Sequence, residues 1–321
     1  MEMGDDQTRI AKEKSPSLLT DLLAAGRVSN LPLVWSNVLV GIFFGLGAQK
    51  IQSSLIAAVL FAASLIYLAG CFLNDWADAS WDKLHKSDRA IPSGRLSRAL
   101  MLSLAMGSFT TALGVLIALV NGEAFVVTVV LIGAIALYTW LHKKTPWGVL
   151  PMGVSRGLLP VLGYASVAPS IFWESGFWNS CSYLLALTAY VAALSLYARC
   201  EAKGLAQRSH RLLAGMFFLL VLFVHLGLLR ERFAGLSLGV LSYLFPIGLV
   251  VFGLMAMKKN VGRGVSWLLS GLALVDAVFL FSIGFSSSSS GTVQQFAFSA
   301  AVFSALCFLI AKGLQRWAPA T

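Results

Sequence analysis

The chain has 321 residues, of which 58% are hydrophobic and 12% charged, and its net charge is +10. That charged fraction is half the roughly 25% of soluble domains, and long apolar runs recur along the chain, so an ordinary soluble domain is excluded. Cys71, Cys181, Cys200 and Cys307 lie far apart, with no CxxC and no His/Cys metal spacing, which excludes a zinc-binding module of that kind.

In chain order, residues 1–28 read as a cytoplasmic N-terminal tail. MEMGDDQTRIAKEKSPS is polar and LLTDLLAAG contains an aspartate, so neither forms the apolar core of a cleavable signal. Residues 16–27 have the pattern of an amphipathic helix lying at a membrane surface. Residues 29–315 then form one transmembrane domain. A helix needs about 20 apolar residues to cross a bilayer core of roughly 30 Å. Such runs lie at 30–47, 53–73, 99–120, 124–141, 148–166, 178–198, 212–229, 236–257, 264–284 and 295–313. Lipid forces the backbone to satisfy its own hydrogen bonds, so the predicted fold is all-α: a polytopic membrane bundle of nine to ten helices around a central cavity. Short loops make consecutive helices antiparallel neighbours. FSSSSSGT at 285–292 reads as a connector on the outer side.

The basic residues alternate between loops. About 20 of the 24 Lys and Arg fall in the N-terminal tail, the even-numbered loops and the C-terminal tail, whereas Lys50, Arg230 and Arg232 occupy the odd ones. This places both termini and the even loops in the cytoplasm and predicts an integral protein of the inner (plasma) membrane. It also accounts for the positive balance without a nucleic-acid partner.

The end of the second run carries CFLNDWADASWDKLHKSDRAIPSGRLSR, residues 71–98. At roughly 100° per residue, Asn74, Asp75, Asp78 and Asp82 share an arc of about 100° on one helix face. Like charges on one face are unfavourable without cations. Mg²⁺ suits this set, being a hard ion usually held by one or two carboxylates plus substrate phosphates. Lys83, Lys86, Arg89 and Arg95 follow, and guanidinium forks pair with phosphate oxygens. Pro92 and Gly94 supply the turn that aims the arginines. A positive-inside loop explains the bases but not the one-sided aspartates, since acids contribute little to topology.

NDWADASWD followed by DRAIPSGRLS resembles the first aspartate-rich motif and following loop of the UbiA superfamily of membrane prenyltransferases. RVSNLPLVWSNVLVG in the first run and LYTWLHKKTPWG after the fourth extend the resemblance over residues 27–211. It implies a UbiA-like bundle in which a Mg²⁺-bound isoprenyl diphosphate loses its diphosphate and a small or lipid acceptor is alkylated. Asn74, Asp75, Asp78 and Asp82 would then hold metal and diphosphate, with Arg89 and Arg95 nearby. The second acidic motif expected after the sixth span matches SLYARCEAKGLAQR, where Glu201 is the sole acid and Arg199 and Lys203 stand beside it. Either Glu201 anchors a second Mg²⁺ while Arg199 and Lys203 neutralise charge, or a single metal binds, or catalysis is reduced. ARCEA, MGVSRGLLPVLG and LALVDA are similar to the EboC-like branch.

Two ionisable groups lie deep in apolar runs, Arg156 and Asp276, and such groups are functional candidates because they are costly unless paired or wet. Either they pair with each other or Arg156 faces the diphosphate. By its place in the resemblance Asn37 lines the cavity; the alternative is an interhelical hydrogen bond. Tyr138 and His142, one turn apart, either line the cavity mouth or anchor their helix at the interface. The expected activity is Mg²⁺-dependent prenyl transfer inside the membrane, with the apolar bundle sheltering the isoprenoid. The rival is a transporter or lipid-handling protein that keeps a diphosphate site without the chemistry, although no broken-helix pair of the inverted-repeat type is present. A Mg²⁺-dependent alcohol phosphotransferase would need a DG…AR…G…D…D run that the chain lacks.

Overall fold

A computed structural model describes residues 17–46, 51–168, 175–203, 244–284 and 291–316, with scattered helical positions between 215 and 225. Ten α-helices occur among them. They are α1 Leu18–Ala25, α2 Leu31–Gly45, α3 Ser53–His85, α4 Arg98–Leu119, α5 Gly122–Leu141, α6 Val149–Val167, α7 Ser175–Lys203, α8 Leu244–Lys259, α9 Val261–Gly284 and α10 Gly291–Leu314. Seven helical segments among the described residues are long and apolar enough to cross a membrane. The predicted run at 212–229 lies largely outside the described residues, as does the first part, 236–243, of the run predicted at 236–257.

Local chemistry sets the helix starts. Pro32 occupies the first turn of α2, where a missing N–H costs nothing. Ser97 caps α4 by accepting from the Leu100 N–H at 3.0 Å. Asn121 caps α5 through the Ala124 N–H at 2.7 Å and also donates to the Ala165 carbonyl at 2.8 Å, tying the start of α5 to the end of α6.

α2 and α9 are buried along most of their length, whereas α4, α5 and α10 keep broad apolar faces such as Ile117, Val126, Val130 and Leu309 outward. Such faces suit a lipid solvent. α2 packs on α6, α9, α10 and α3, so it forms the central stave. Its approach to α6 is backbone to backbone. A Cβ on Gly41 would collide with the Pro160 carbonyl, and one on Gly163 with the Val38 carbonyl. Small residues that let helices approach this closely are the usual basis of packing where lipid offers no hydrophobic driving force.

α3 does not stop where its apolar run stops. Its 33 residues span about 50 Å at 1.5 Å per residue, well beyond a bilayer core of roughly 30 Å. No Gly or Pro interrupts 74–85, so the helix continues as a polar stalk. That stalk carries Asn74, Asp75, Asp78 and Asp82 as far as the C-cap at Lys86.

Candidate active site

A cavity of about 740 Å³ lies inside the bundle. Its polar lining comes from Arg27, Asn30, Tyr67, Cys71, Asn74, Lys86, Tyr138, Ser155, Arg156 and Ser195, set among apolar residues such as Ile66, Leu131, Ile135, Leu159, Val191 and Leu194. Val149 at the start of α6, Ala198 near the end of α7 and Gly262 at the start of α9 also line it. The cavity therefore reaches the end of the bundle at which α3 delivers its stalk.

Asn74, Asp78 and Asp82 are buried on this stalk, with exposures of 9%, 6% and 3%. The sequence placed them with Asp75 on one face, and the structure gives each acid its own cation. Arg27 Nη2 donates to Asp75 at 2.9 Å, and Arg89 Nη1 donates to Asp82 at 2.8 Å. Lys143 Nζ lies 2.6 Å and His142 Nε2 3.2 Å from Asp78, which also accepts from Asn74 Nδ2 at 3.3 Å. Three cationic side chains, Arg27, Arg89 and Lys143, and the His142 imidazole thus converge on one helix face from three separate stretches of chain. Among the described residues no three His, Cys, Asp or Glu side chains form a closed metal cage.

The donor set fits Mg²⁺ of the kind completed by substrate. Such an ion takes one or two carboxylates plus phosphate oxygens and does not need an all-protein cage. Asn74 Oδ1 is a buried hard oxygen without a hydrogen-bond partner among the described residues, and Asn74 lines the cavity.

The loop from 86 to 97 closes over the stalk. The Ser93 N–H donates to the Arg89 carbonyl at 3.0 Å and the Leu96 N–H to the Ala90 carbonyl at 2.9 Å. Gly94 has φ +80°, a left-handed conformation that glycine adopts without steric cost, and this is the predicted turn. Lys86 lines the cavity and Arg89 reaches Asp82. Arg95 is turned away from the cavity: Nε contacts Asp21 at 2.9 and 3.2 Å, and Nη2 donates to the Asp88 carbonyl at 3.1 Å.

Deeper groups divide in two. Arg156 lines the cavity, and its Nε and Nη2 are shielded with no hydrogen-bond partner among the described residues. It makes no ion pair with Asp276. Asp276 instead lies behind the wall, accepting from Ser36 Oγ, from Asn37 Nδ2 at 2.7 Å and from the Tyr183 hydroxyl at 2.6 Å. Asn37 therefore makes the interhelical hydrogen bond, and Asn30, two turns earlier, is the asparagine that lines the cavity and donates to the Tyr67 hydroxyl at 3.2 Å. Tyr138 lines the cavity with its ring 4.9 Å from that of His142. The side chains of Arg199, Glu201 and Lys203 lie outside the described residues. Their backbone forms the last turn of α7, immediately after cavity-lining Ser195 and Ala198.

Sequence reasoning missed Arg27, Tyr67 and Cys71. Arg27 has φ +43°, rare for a residue with a Cβ, and this turn between α1 and the short 3-10 turn Val28–Asn30 directs its side chain to Asp75. The signal for Tyr67 and Cys71 was present: they precede Asn74 and Asp78 at helical spacing, but within a stretch that reads simply as apolar.

A several-span helical bundle with an internal cavity and a carboxylate–cation cluster beside it defines an integral membrane protein. The profile of the UbiA prenyltransferase family matches residues 33–298, and the chain belongs to that family. It is 30% identical over 151 residues to protoheme IX farnesyltransferase 2 of Mesorhizobium japonicum, covering 45% of this chain and 48% of that one. A solved structure of digeranylgeranylglyceryl phosphate synthase superposes with a TM-score of 0.60 at 16% identity, covering 83% of this chain and 99% of the other. A UbiA homologue from Archaeoglobus fulgidus bound to DMAPP and Mg²⁺ gives a TM-score of 0.48 at 15% identity over 91% of this chain and 99% of that one. The chain spans about half the length of the first curated relatives it matches.

Proposed function

We propose that this chain is a membrane prenyltransferase that cleaves a Mg²⁺-bound isoprenyl diphosphate and transfers the isoprenyl group to an acceptor. The observation that carries this reading is the stalk of α3. Its three aspartates meet Arg27, Arg89, Lys143 and the His142 imidazole beside an apolar cavity that Arg27, Asn74 and Lys86 line.

Asn74 and Asp78, with Asp75 and Asp82 flanking them, are the proposed oxygen ligands for Mg²⁺. Bound there, Mg²⁺ supplies charge neutralisation for the departing diphosphate. Lys86 and Arg89 add fixed positive charge beside the same phosphates, an electrostatic contribution that needs no reorganisation during the reaction. The apolar lining of Leu131, Ile135, Leu159, Val191 and Leu194 holds the isoprenoid and keeps water from the allylic carbon. Arg156 and Tyr138 line the cavity and contact the substrates from its wall. Glu201, with Arg199 and Lys203, is proposed as the second, reduced acidic element; its place three residues after cavity-lining Ala198 supports this.

The positive-inside distribution supports a cytoplasmic active site in the plasma membrane. The outward Leu18, Leu19 and Leu23 of α1 support a helix lying on that membrane surface. The ARCEA stretch supports an EboC-like affiliation. Asn37 enters this scheme by steadying the cavity wall through Asp276.

The test uses the purified full chain in lipid nanodiscs, with isoprenyl diphosphates of several lengths, Mg²⁺ and a membrane lipid extract, following diphosphate release. At least one chain length is expected to give release that EDTA abolishes. Absence of release at every length would defeat the enzyme reading. Mg²⁺-dependent binding without turnover would then favour the lipid-handling rival, whose support is the single acid at 201.

A further inference from the structure

The segment 21–27 touches the site at two points, and neither point is explained by membrane crossing. α1 is capped by Ser17, whose hydroxyl accepts from the Thr20 N–H at 3.3 Å. Its Asp21 is 7% exposed and faces inward, toward the loop that carries Lys86 and Arg89. Arg95, from the far end of that loop, places Nε against both carboxylate oxygens of Asp21 and Nη2 on the Asp88 carbonyl. One guanidinium thus ties the helix to the loop and the loop to itself.

Apolar packing follows the same line. Leu22 and Ala25 of α1 lie on a cluster of Phe72, Leu96, Met101 and Ala105, which also receives Ala90 and Ile91 from the loop. A Cβ on Gly26 would stand 2.9 Å from Leu68 Cδ2, so the helix end lies close against α3. One residue on, the left-handed backbone of Arg27 sends its side chain to Asp75 on the stalk. Within seven residues the N-terminal segment holds both the stalk and the loop.

An ion pair with one partner about a third exposed adds little to global stability. Its geometric effect is larger, because Lys86 and Arg89 hang between two fixed ends: the C-terminus of α3 and the Arg95 anchor. We propose that α1 is a brace for the diphosphate loop and that Asp21, acting through Arg95, is a positioning residue aiming Lys86 and Arg89 at the leaving diphosphate. This rests on the diphosphate reading of the site. It gives Arg95 a role in shaping the phosphate clamp without touching phosphate.

The experiment compares the full-length wild type, Asp21→Ala, and the exchange of charges Asp21→Arg with Arg95→Asp. Two quantities are read on purified protein: calorimetric binding of inorganic diphosphate with Mg²⁺, and hydrogen exchange of the 86–97 amides. Asp21→Ala is expected to weaken diphosphate binding roughly three- to thirtyfold, the usual range for a residue coupled to a site at a distance. It is also expected to speed exchange at 86–97, where the Ser93 and Leu96 amides are bonded. The exchanged pair is expected to recover part of both, short of wild type because the bond from Arg95 to the Asp88 carbonyl is lost, and a simple loss of folding would allow no recovery. Wild-type affinity in Asp21→Ala, or a loss that the exchanged pair leaves unrepaired, overturns the brace while the diphosphate site stands. A wild-type chain that binds no diphosphate overturns the underlying site reading and the brace with it.

Discussion

Asp78→Ala is expected to lower the rate of diphosphate release by at least about 10²–10³-fold, the usual cost of removing one preorganised electrostatic element from an active site. Asp78 is the most connected acid of the stalk. It accepts from Asn74, lies within 2.6 Å of Lys143 and 3.2 Å of His142, and is 6% exposed. Removing its carboxylate subtracts a proposed metal ligand and also takes from Lys143 and His142 the acid that they contact, so the site becomes less favourable to a divalent cation. Asp78→Asn keeps the volume and loses the charge, and should fail nearly as completely. Glu123→Gln, in the first turn of α5 at the opposite end of that helix, should leave release unchanged. Single-turnover release on nanodisc-embedded protein measures all three. Near-normal release in Asp78→Ala would remove the stalk from the chemistry.

Asp276→Ala is expected to act on stability. The carboxylate is fully buried on α9 and accepts from Ser36 and Asn37 on α2 and from Tyr183 on α7. It joins three helices behind the cavity wall, among them the central stave. An alanine there takes the acceptor from three buried donors, and each donor left unmet costs ~1–3 kcal/mol, so a loss of about 2 kcal/mol or more is expected. Asp276→Asn retains one acceptor oxygen and should lose less. Thermal unfolding in a fixed detergent separates the two, with the order wild type, Asn, Ala in falling midpoint. An alanine variant as stable as wild type would mean that water or lipid satisfies these donors.

The helical architecture was largely legible in the chain, because lipid imposes one simple rule on backbone hydrogen bonds. The stalk was legible for a different reason: four oxygen-bearing residues at helical spacing share a face whatever they pack against. The partners of that face were not. Arg27 reaches Asp75 through a left-handed turn that no periodicity announces. His142 and Lys143 meet Asp78 because the end of α5 arrives beside α3, a tertiary fact.

Asn30 and Asn37 show the limit of reasoning from one face. Seven residues apart, they share a side of the first span, yet the short turn Val28–Asn30 separates Asn30 from the α2 helix proper. One asparagine lines the cavity while the other is captured by Asp276, 239 residues away in sequence. Arg95 was legible as a basic residue near phosphate. That its guanidinium is committed to Asp21 depended on a helix packing back over the loop, and nothing in DRAIPSGRLS encodes that.

The most direct test is a structure of the chain in nanodiscs with Mg²⁺ and a non-hydrolysable isoprenyl thiodiphosphate. The expected density places the diphosphate against Asn74 and Asp78, with Lys86 and Arg89 on its far side and the isoprenoid running inward past Leu131, Ile135 and Val191. Diphosphate density away from the α3 stalk, or an isoprenoid lying outside the cavity, would contradict the assignment of this site.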